Sequence, residues 1–286
     1  MRFFARIFAA YSIFAFAIFG NSAQAADCKP LQILNTIKLE AIDGNSAFLA
    51  PVTVNNTPLK FLLDTGSTFT QLTDSAAKAL GLKIEESPLR IMAPPSPTTN
   101  GLGFSLTYRA TVRTFEMGAQ RGENLNIQIQ PEFQSKHIPE IAGILSTDLF
   151  KQLDIDIDFG AARLNYFAAD HCDGKVAYWP ERPLAIIPMT VKGGTISIPI
   201  TVDGHRMDAL IDTGAKNTLM SAATAKSDLG LDLGSDENPI IATPTNDPRV
   251  KVYSHRFDAL TFEGVTVKNP KIDIMVDPLS VRTYVD

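Results

Sequence analysis

The chain has 286 residues, 45% hydrophobic and 20% charged, with a formal net charge of −5. This length and apolar content allow one large or two small domains, each with its own core. The acidic balance and the lack of any lysine/arginine cluster argue against nucleic acid or an anionic membrane as partner.

Residues 1–25, "MRFFARIFAAYSIFAFAIFGNSAQA", carry Arg2 and Arg6, an apolar stretch from Ile7 to Gly20, and Ala23-Gln24-Ala25 as an A-x-A site. The pattern reads as a secretory signal peptide cleaved after Ala25, giving a secreted or periplasmic protein with no membrane attachment. An uncleaved anchor is the alternative, but the run falls short of the roughly 20 residues a spanning helix needs. Cleavage removes the two arginines, taking the charge from −5 to −7. The only cysteines, Cys28 and Cys172, then sit in an oxidising compartment, where a disulfide or two free thiols are the options. Their separation fits neither a zinc site nor a CxxC redox motif. A bridge closing so long a loop contributes roughly 4 to 5 kcal/mol in the chain-entropy model.

The mature chain is organised by an internal repeat. Residues 47–79 set against 195–227 without a gap coincide at ten of 33 positions, among them Asp64-Thr65-Gly66 and Asp212-Thr213-Gly214. In each copy a β-branched run, "FLAPVTV" or "ISIPITV", leads into Asn55-Asn56 or Asp203-Gly204, dipeptides suited to a tight hairpin at positive φ. A second strand, "LKFLL" or "MDALI", then ends at the DTG. Beyond it, Thr73 and Ser221 are placed to N-cap short alanine-rich helices closed by Gly81 and Gly230. Each unit is expected to run strand, hairpin, strand, DTG turn, strand, short helix.

Further along the first copy, "IAGILSTDLF" precedes "LDIDIDFGAARLNYF", in which Leu153, Ile155 and Ile157 alternate with Asp154, Asp156 and Asp158. The alternation predicts a half-buried strand turning near Gly160 into another. A calcium loop is the rival reading, but Phe159 and Asn165 stand where an EF-hand needs glycine and glutamate. The histidines 137, 171, 205 and 255 show no ligand spacing, so no metal and no cofactor is expected. Proline and polar residues over 173–185 mark a linker between a first lobe, 30–172, and a second, shorter one, 186–286. The stretches 93–103 and 242–248 suggest mobile loops at matching depths after each DTG.

One DTG is an ordinary turn. Two at equivalent places in a duplication, each after an apolar strand, are expected to meet across a pseudo-twofold axis. Two carboxylates roughly 3 Å apart share one proton, one acting as base on a trapped water while the other polarises a carbonyl.

"FLLDTGST", "ALIDTGAK" and "AGILSTDLF" resemble aspartic proteases, specifically bacterial retropepsin-like proteins exported to the periplasm. The resemblance implies a mainly β acid-protease fold of two pseudo-twofold-related lobes. It implies catalytic Asp64 and Asp212, supported by Thr65, Gly66, Ser67, Thr213 and Gly214, with the two threonines interlocking across the axis. It also implies that residues 142–145 pack beneath the first DTG and that a flap around 93–108 closes over a peptide or protein substrate. As in pepsin-like enzymes, Ser67 follows the first DTG, and a hydroxyl bond to the carboxylate would make Asp64 the ionised member. Ala215 follows the second, as in retroviral enzymes.

"FDALTFEGVTVKNPKIDIMVD" (257–277) parallels "ATVRTFEMGAQRGENLNIQIQ" (110–130), but nothing after it matches "IAGILSTDLFKQLDIDIDFGAARLNYF". The second lobe is therefore expected to lack strands that support its DTG. A monomeric exported endopeptidase with an intramolecular dyad is the main reading. A homodimer pairing two Asp64 residues is a variant of it. A non-catalytic peptide-binding or scaffolding protein is the alternative.

Overall fold

A computed structural model describes residues 29–42, 44, 47–93, 104–132, 141–172, 174, 178, 185–243 and 251–275. The segment 1–25 expected to be a signal peptide, most of the expected linker 173–185, the tip expected of the flap and most of the stretch 242–248 lie outside these residues. Among them, no helix is long and apolar enough to cross a membrane.

In the first lobe, β1 (Ile33–Lys38), β2 (Glu40–Ile42), β3 (Ala47–Val54) and β4 (Thr57–Leu63) precede the first DTG. Next come β5 (Gln71–Thr73), α1 (Asp74–Ala79), β6 (Ile84–Ala93), β7 (Phe104–Met117) and β8 (Gln120–Gln130). The lobe ends with β9 (Gly143–Leu145), β10 (Leu153–Asp158) and β11 (Arg163–Ala168). One sheet has the order β2-β3-β4-β9-β5-β8-β7-β6, closed on itself where β3 also pairs β7, and a second has the order β1-β11-β10. The alternation along each strand sends Phe61, Leu63, Leu72, Val112, Leu145 and Tyr166 into one core. Burying each such side chain stabilises the lobe by roughly 1.5–3 kcal/mol.

Local chemistry sets the turns. Asn55 and Asn56 have φ of 48° and 67°, and Asp203 and Gly204 have 45° and 84°, so both hairpins turn at positive φ. Asn55 Oδ1 accepts from the amides of Arg113 and Thr114, and Asp203 Oδ1 from Ala259, tying each hairpin to the next sheet strand. Thr73 Oγ1 accepts from the Ala76 amide at 3.2 Å, capping the first helix. The strand β6 bulges between Glu86 and Ile91, around Pro88, which has no amide to give the ladder. The aspartates of β10 are engaged by neighbours rather than simply solvated: Asp154 meets His171, Asp156 accepts from Asn165 and Tyr178, and Asp158 pairs Arg163.

The second lobe comprises β12 (Thr190–Lys192), β13 (Thr195–Val202), β14 (His205–Leu210), β15 (Leu219–Ser221) and α2 (Ala222–Ser227). It continues with β16 (Ile240–Ala242), β17 (Val252–Arg256), β18 (Ala259–Phe262), β19 (Val265–Lys268) and β20 (Lys271–Met275). Ser221 caps α2 as Thr73 caps α1, accepting from Thr224 at 3.0 Å. Among the described residues its two sheets are separate: one runs β12-β13-β18-β19 with β14 against β13, the other β15-β20-β17-β16. Among the described residues nothing in this lobe corresponds to β9, the strand that joins β4 to β5 in the first lobe.

One sequence match needs correction. Aligning "TFE" with "TFE" puts 110 opposite 257, but the structure shifts the pairing by two residues. Val54 pairs Phe115 whereas Val202 pairs Leu260. The positive-φ asparagines 124 and 269 coincide only in this register. The hairpin turn, not the letters, sets the alignment, because it fixes which side chains face the core. Val112 and Phe257 then occupy matching, fully buried places.

Candidate active site

Both DTG turns lie at strand ends and face each other. Thr65 Oγ1 donates to the Ile211 carbonyl at 2.6 Å, and Thr213 Oγ1 donates to the Leu63 carbonyl at 2.8 Å. Each threonine hydroxyl also accepts from the other's amide, both at 3.1 Å. Four reciprocal hydrogen bonds thus cross the axis, each satisfying a group at a buried or half-buried turn.

This interlock brings Asp64 and Asp212 together. Gly66 Nα and Ser67 Nα donate to Asp64 Oδ1 at 2.9 and 3.0 Å; Gly214 and Ala215 do the same to Asp212 Oδ1 at 2.8 and 3.1 Å. The glycines are there because the opposite carboxylate fills the place of their side chains. A Cβ on Gly66 would sit 2.6 Å from Asp212 Oδ2, and one on Gly214 would sit 2.6 Å from Asp64 Cγ.

The carboxylates differ. Asp64 is half-buried and Asp212 exposed. Burial, then the facing charge of Asp212 and a side-chain hydrogen bond with it, push Asp64 up to about 7, against the lowering effect of the Ser67 and Gly66 amides. Ser67 does not give Asp64 the hydroxyl bond that the sequence suggested. Its hydroxyl donates to the Phe69 carbonyl at 3.1 Å and accepts from Gln71 Nε2 at 2.8 Å, so it supports the loop and not the carboxylate. Only the Ser67 amide reaches Asp64, and Ala215 supplies an equal one to Asp212.

The first turn is braced from behind. Strand β9 runs parallel to β4, pairing Phe61 with Gly143 and Leu63 with Leu145, and antiparallel to β5. The Leu145 carbonyl accepts the Asp64 amide at 3.0 Å. Gly143 permits the insertion, since a Cβ there would collide with the Gln71 carbonyl and lie 2.8 Å from the Phe61 ring. Ser146 Oγ donates to the Ser67 carbonyl, and Asp148 Oδ1 accepts from both Thr70 Nα and Thr70 Oγ1. Burial holds the Asp148 carboxyl above its ordinary range despite those bonds. Thr70 was legible as a member of the repeat and Asp148 as part of "AGILSTDLF", but their pairing across 78 residues was not.

A second unforeseen element is the hairpin turn of the second lobe. Gly194 accepts a hydrogen bond from Thr147 Oγ1, and a Cβ there would lie 2.7 Å from the Thr68 carbonyl. With φ of +90°, the position suits glycine on both counts. The dipeptide Gly193-Gly194 between β-branched runs was the sequence signal. Of the possible disulfide, Cys172 is bonded, and Cys28 lies outside the described residues. Next to it, the Cys172 amide donates to the Lys29 carbonyl at 2.9 Å.

A family model described as aspartyl protease matches residues 50–149 and 198–281, covering both turns. Among solved structures, the chain is similar to a retropepsin-like aspartic protease from Rickettsia conorii, at 19% identity over 48% of this chain and 94% of that one, with a TM-score of 0.32. It is also similar to an aspartic proteinase from Irpex lacteus, at 14% identity over 82% of this chain and 78% of the other, with a TM-score of 0.42. No curated protein matches it.

Proposed function

Because the chain belongs to the aspartyl protease family, we propose that it is an exported aspartic endopeptidase whose single chain supplies both catalytic carboxylates. The observation that carries this reading is the packing of Asp64 against Gly214 and of Asp212 against Gly66 across the threonine interlock.

In the proposed reaction an extended peptide lies between the lobes over the two turns. Asp212, which faces solvent, takes a proton from a water held between the carboxylates. That water attacks the scissile carbonyl carbon while protonated Asp64 donates a hydrogen bond to the carbonyl oxygen. As the tetrahedral intermediate collapses, the proton gained by Asp212 passes to the leaving nitrogen and the pair returns to its single-proton state. No cofactor enters this scheme. Export follows from the sequence of residues 1–25.

A second reading, peptide binding without hydrolysis, draws on one observation: among the described residues no strand braces the second turn as β9 braces the first. Peptide cleavage from acidic to neutral pH by wild type, Asp64→Asn and Asp212→Asn separates the cases. Loss in both variants supports the intramolecular pair. Loss in Asp64→Asn alone means that two first lobes pair between chains, and intact binding without wild-type cleavage favours the second reading.

A further inference from the structure

The first lobe shows what completes a DTG-bearing half: a three-residue strand, β9, seated between β4 and β5. In the second lobe β14 and β15 occupy the corresponding places, yet among the described residues β14 pairs only β13 and β15 only β20. The side chains beside this slot record the difference. Leu62 and Leu63 are 6% and 0% exposed, whereas their counterparts Leu210 and Ile211 are 44% and 38% exposed. Leu219, opposite buried Gln71, is 46% exposed. Two facing strand edges with apolar side chains along them form a template for an added strand.

We propose that residues 276–286, beyond β20, supply that strand, entering the slot between β14 and β15 to complete the second lobe. Geometry favours this segment. β20 runs parallel to β15 and ends with Met275 beside Ser221. A strand in the slot by analogy with β9 runs antiparallel to β15, so it starts at that same end. The crossing spans about two strand spacings, roughly 10 Å, which three or four extended residues cover. Asp277-Pro278 falls in this crossing, where the absent proline amide is not needed. The following "LSVRTYVD" has β-branched and aromatic residues in alternation, and Val281, Thr283 and Val285 share one face. The first lobe makes the same journey by a longer route, from Gln130 to Gly143.

The proposal holds whether or not the dyad cleaves peptides, so its test avoids activity. Hydrogen exchange is compared between the full chain and a chain ending at Met275, reading peptides that cover 208–212 and 217–221. The expected result is protection in the full chain that falls about tenfold or more on truncation and returns when a synthetic 276–286 peptide is added. Val281→Pro in the full chain should reproduce the loss, which keeps the test sound if the truncated chain does not fold. Equal exchange in the full chain, truncated chain and proline variant overturns the proposal. So does protection that depends on protein concentration, which would assign the slot to a second copy.

Discussion

The two lobes carry the same tripeptide in the same local setting and treat it differently. Behind Asp64 stand β9, the Leu145 carbonyl, Ser146 and the Thr70–Asp148 pair. Behind Asp212 no corresponding strand lies among the described residues. The interlocked threonines are nevertheless symmetric in their mutual amide bonds. A turn can therefore be held in place by its partner across an axis while its own lobe braces it less. The asymmetry also distinguishes the carboxylates, since burial and the facing charge of Asp212 push Asp64 up to about 7.

The comparison breaks most severely if one carboxylate is removed. Asp64→Asn and Asp212→Asn are each expected to lower kcat/KM for a peptide by roughly 10⁴-fold. Because both groups serve one proton-sharing unit, the double variant should lose little more. Next in size, Gly66→Ala and Gly214→Ala drive a methyl into the opposing carboxylate. Each should cost about 100-fold in kcat, as displacing a reacting group by an ångström does, with melting temperature as the control for folding.

Gly143→Ala probes the brace of the first lobe alone. A Cβ meeting the Gln71 carbonyl and the Phe61 ring should destabilise the protein by about 1–3 kcal/mol, measured by urea unfolding.

The pH dependence sharpens the difference between the carboxylates. Asp64 rises from an ordinary 3.8 to about 7 on folding, so the folded state binds the extra proton between those values. Its contribution to stability is complete below about pH 4 and is lost as pH rises through about 7. Urea unfolding at several pH values should show this decline in wild type and a flatter profile in Asp64→Asn. Cleavage should fall on the alkaline side as Asp64 loses its proton. The smallest effect belongs to Ser67→Ala. Its hydroxyl binds Phe69 and Gln71 rather than Asp64, so the pH profile of kcat/KM should stay in place.

Much of this was legible along the chain. The duplicated hairpins, helix caps and DTG turns depend on residues a few positions apart, and the Asn-Asn, Asp-Gly, Thr and Ser signals act through local backbone preferences. The absence of a second "AGILS" in the sequence accords with the described residues, among which no strand stands behind Asp212 as β9 stands behind Asp64. The Ser67 inference failed because a hydroxyl next to a carboxylate in sequence points where its rotamer and neighbours allow. Here Gln71 and the Phe69 carbonyl capture it. The match of residues 110–130 to 257–277 slipped by two because identical letters do not fix a hairpin register.

The sequence by itself determined that two equivalent carboxylate turns exist and that each ends an apolar strand. Short-range periodicity and turn chemistry suffice for that. Only the tertiary structure decided that the turns meet, that each glycine makes room for the other lobe's carboxylate, and that Asp64 is the more buried of the two and faces Asp212. Those facts depend on burial and on contacts between residues 148 positions apart in the chain, and no local pattern encodes how deeply a group is buried or which charge it will face.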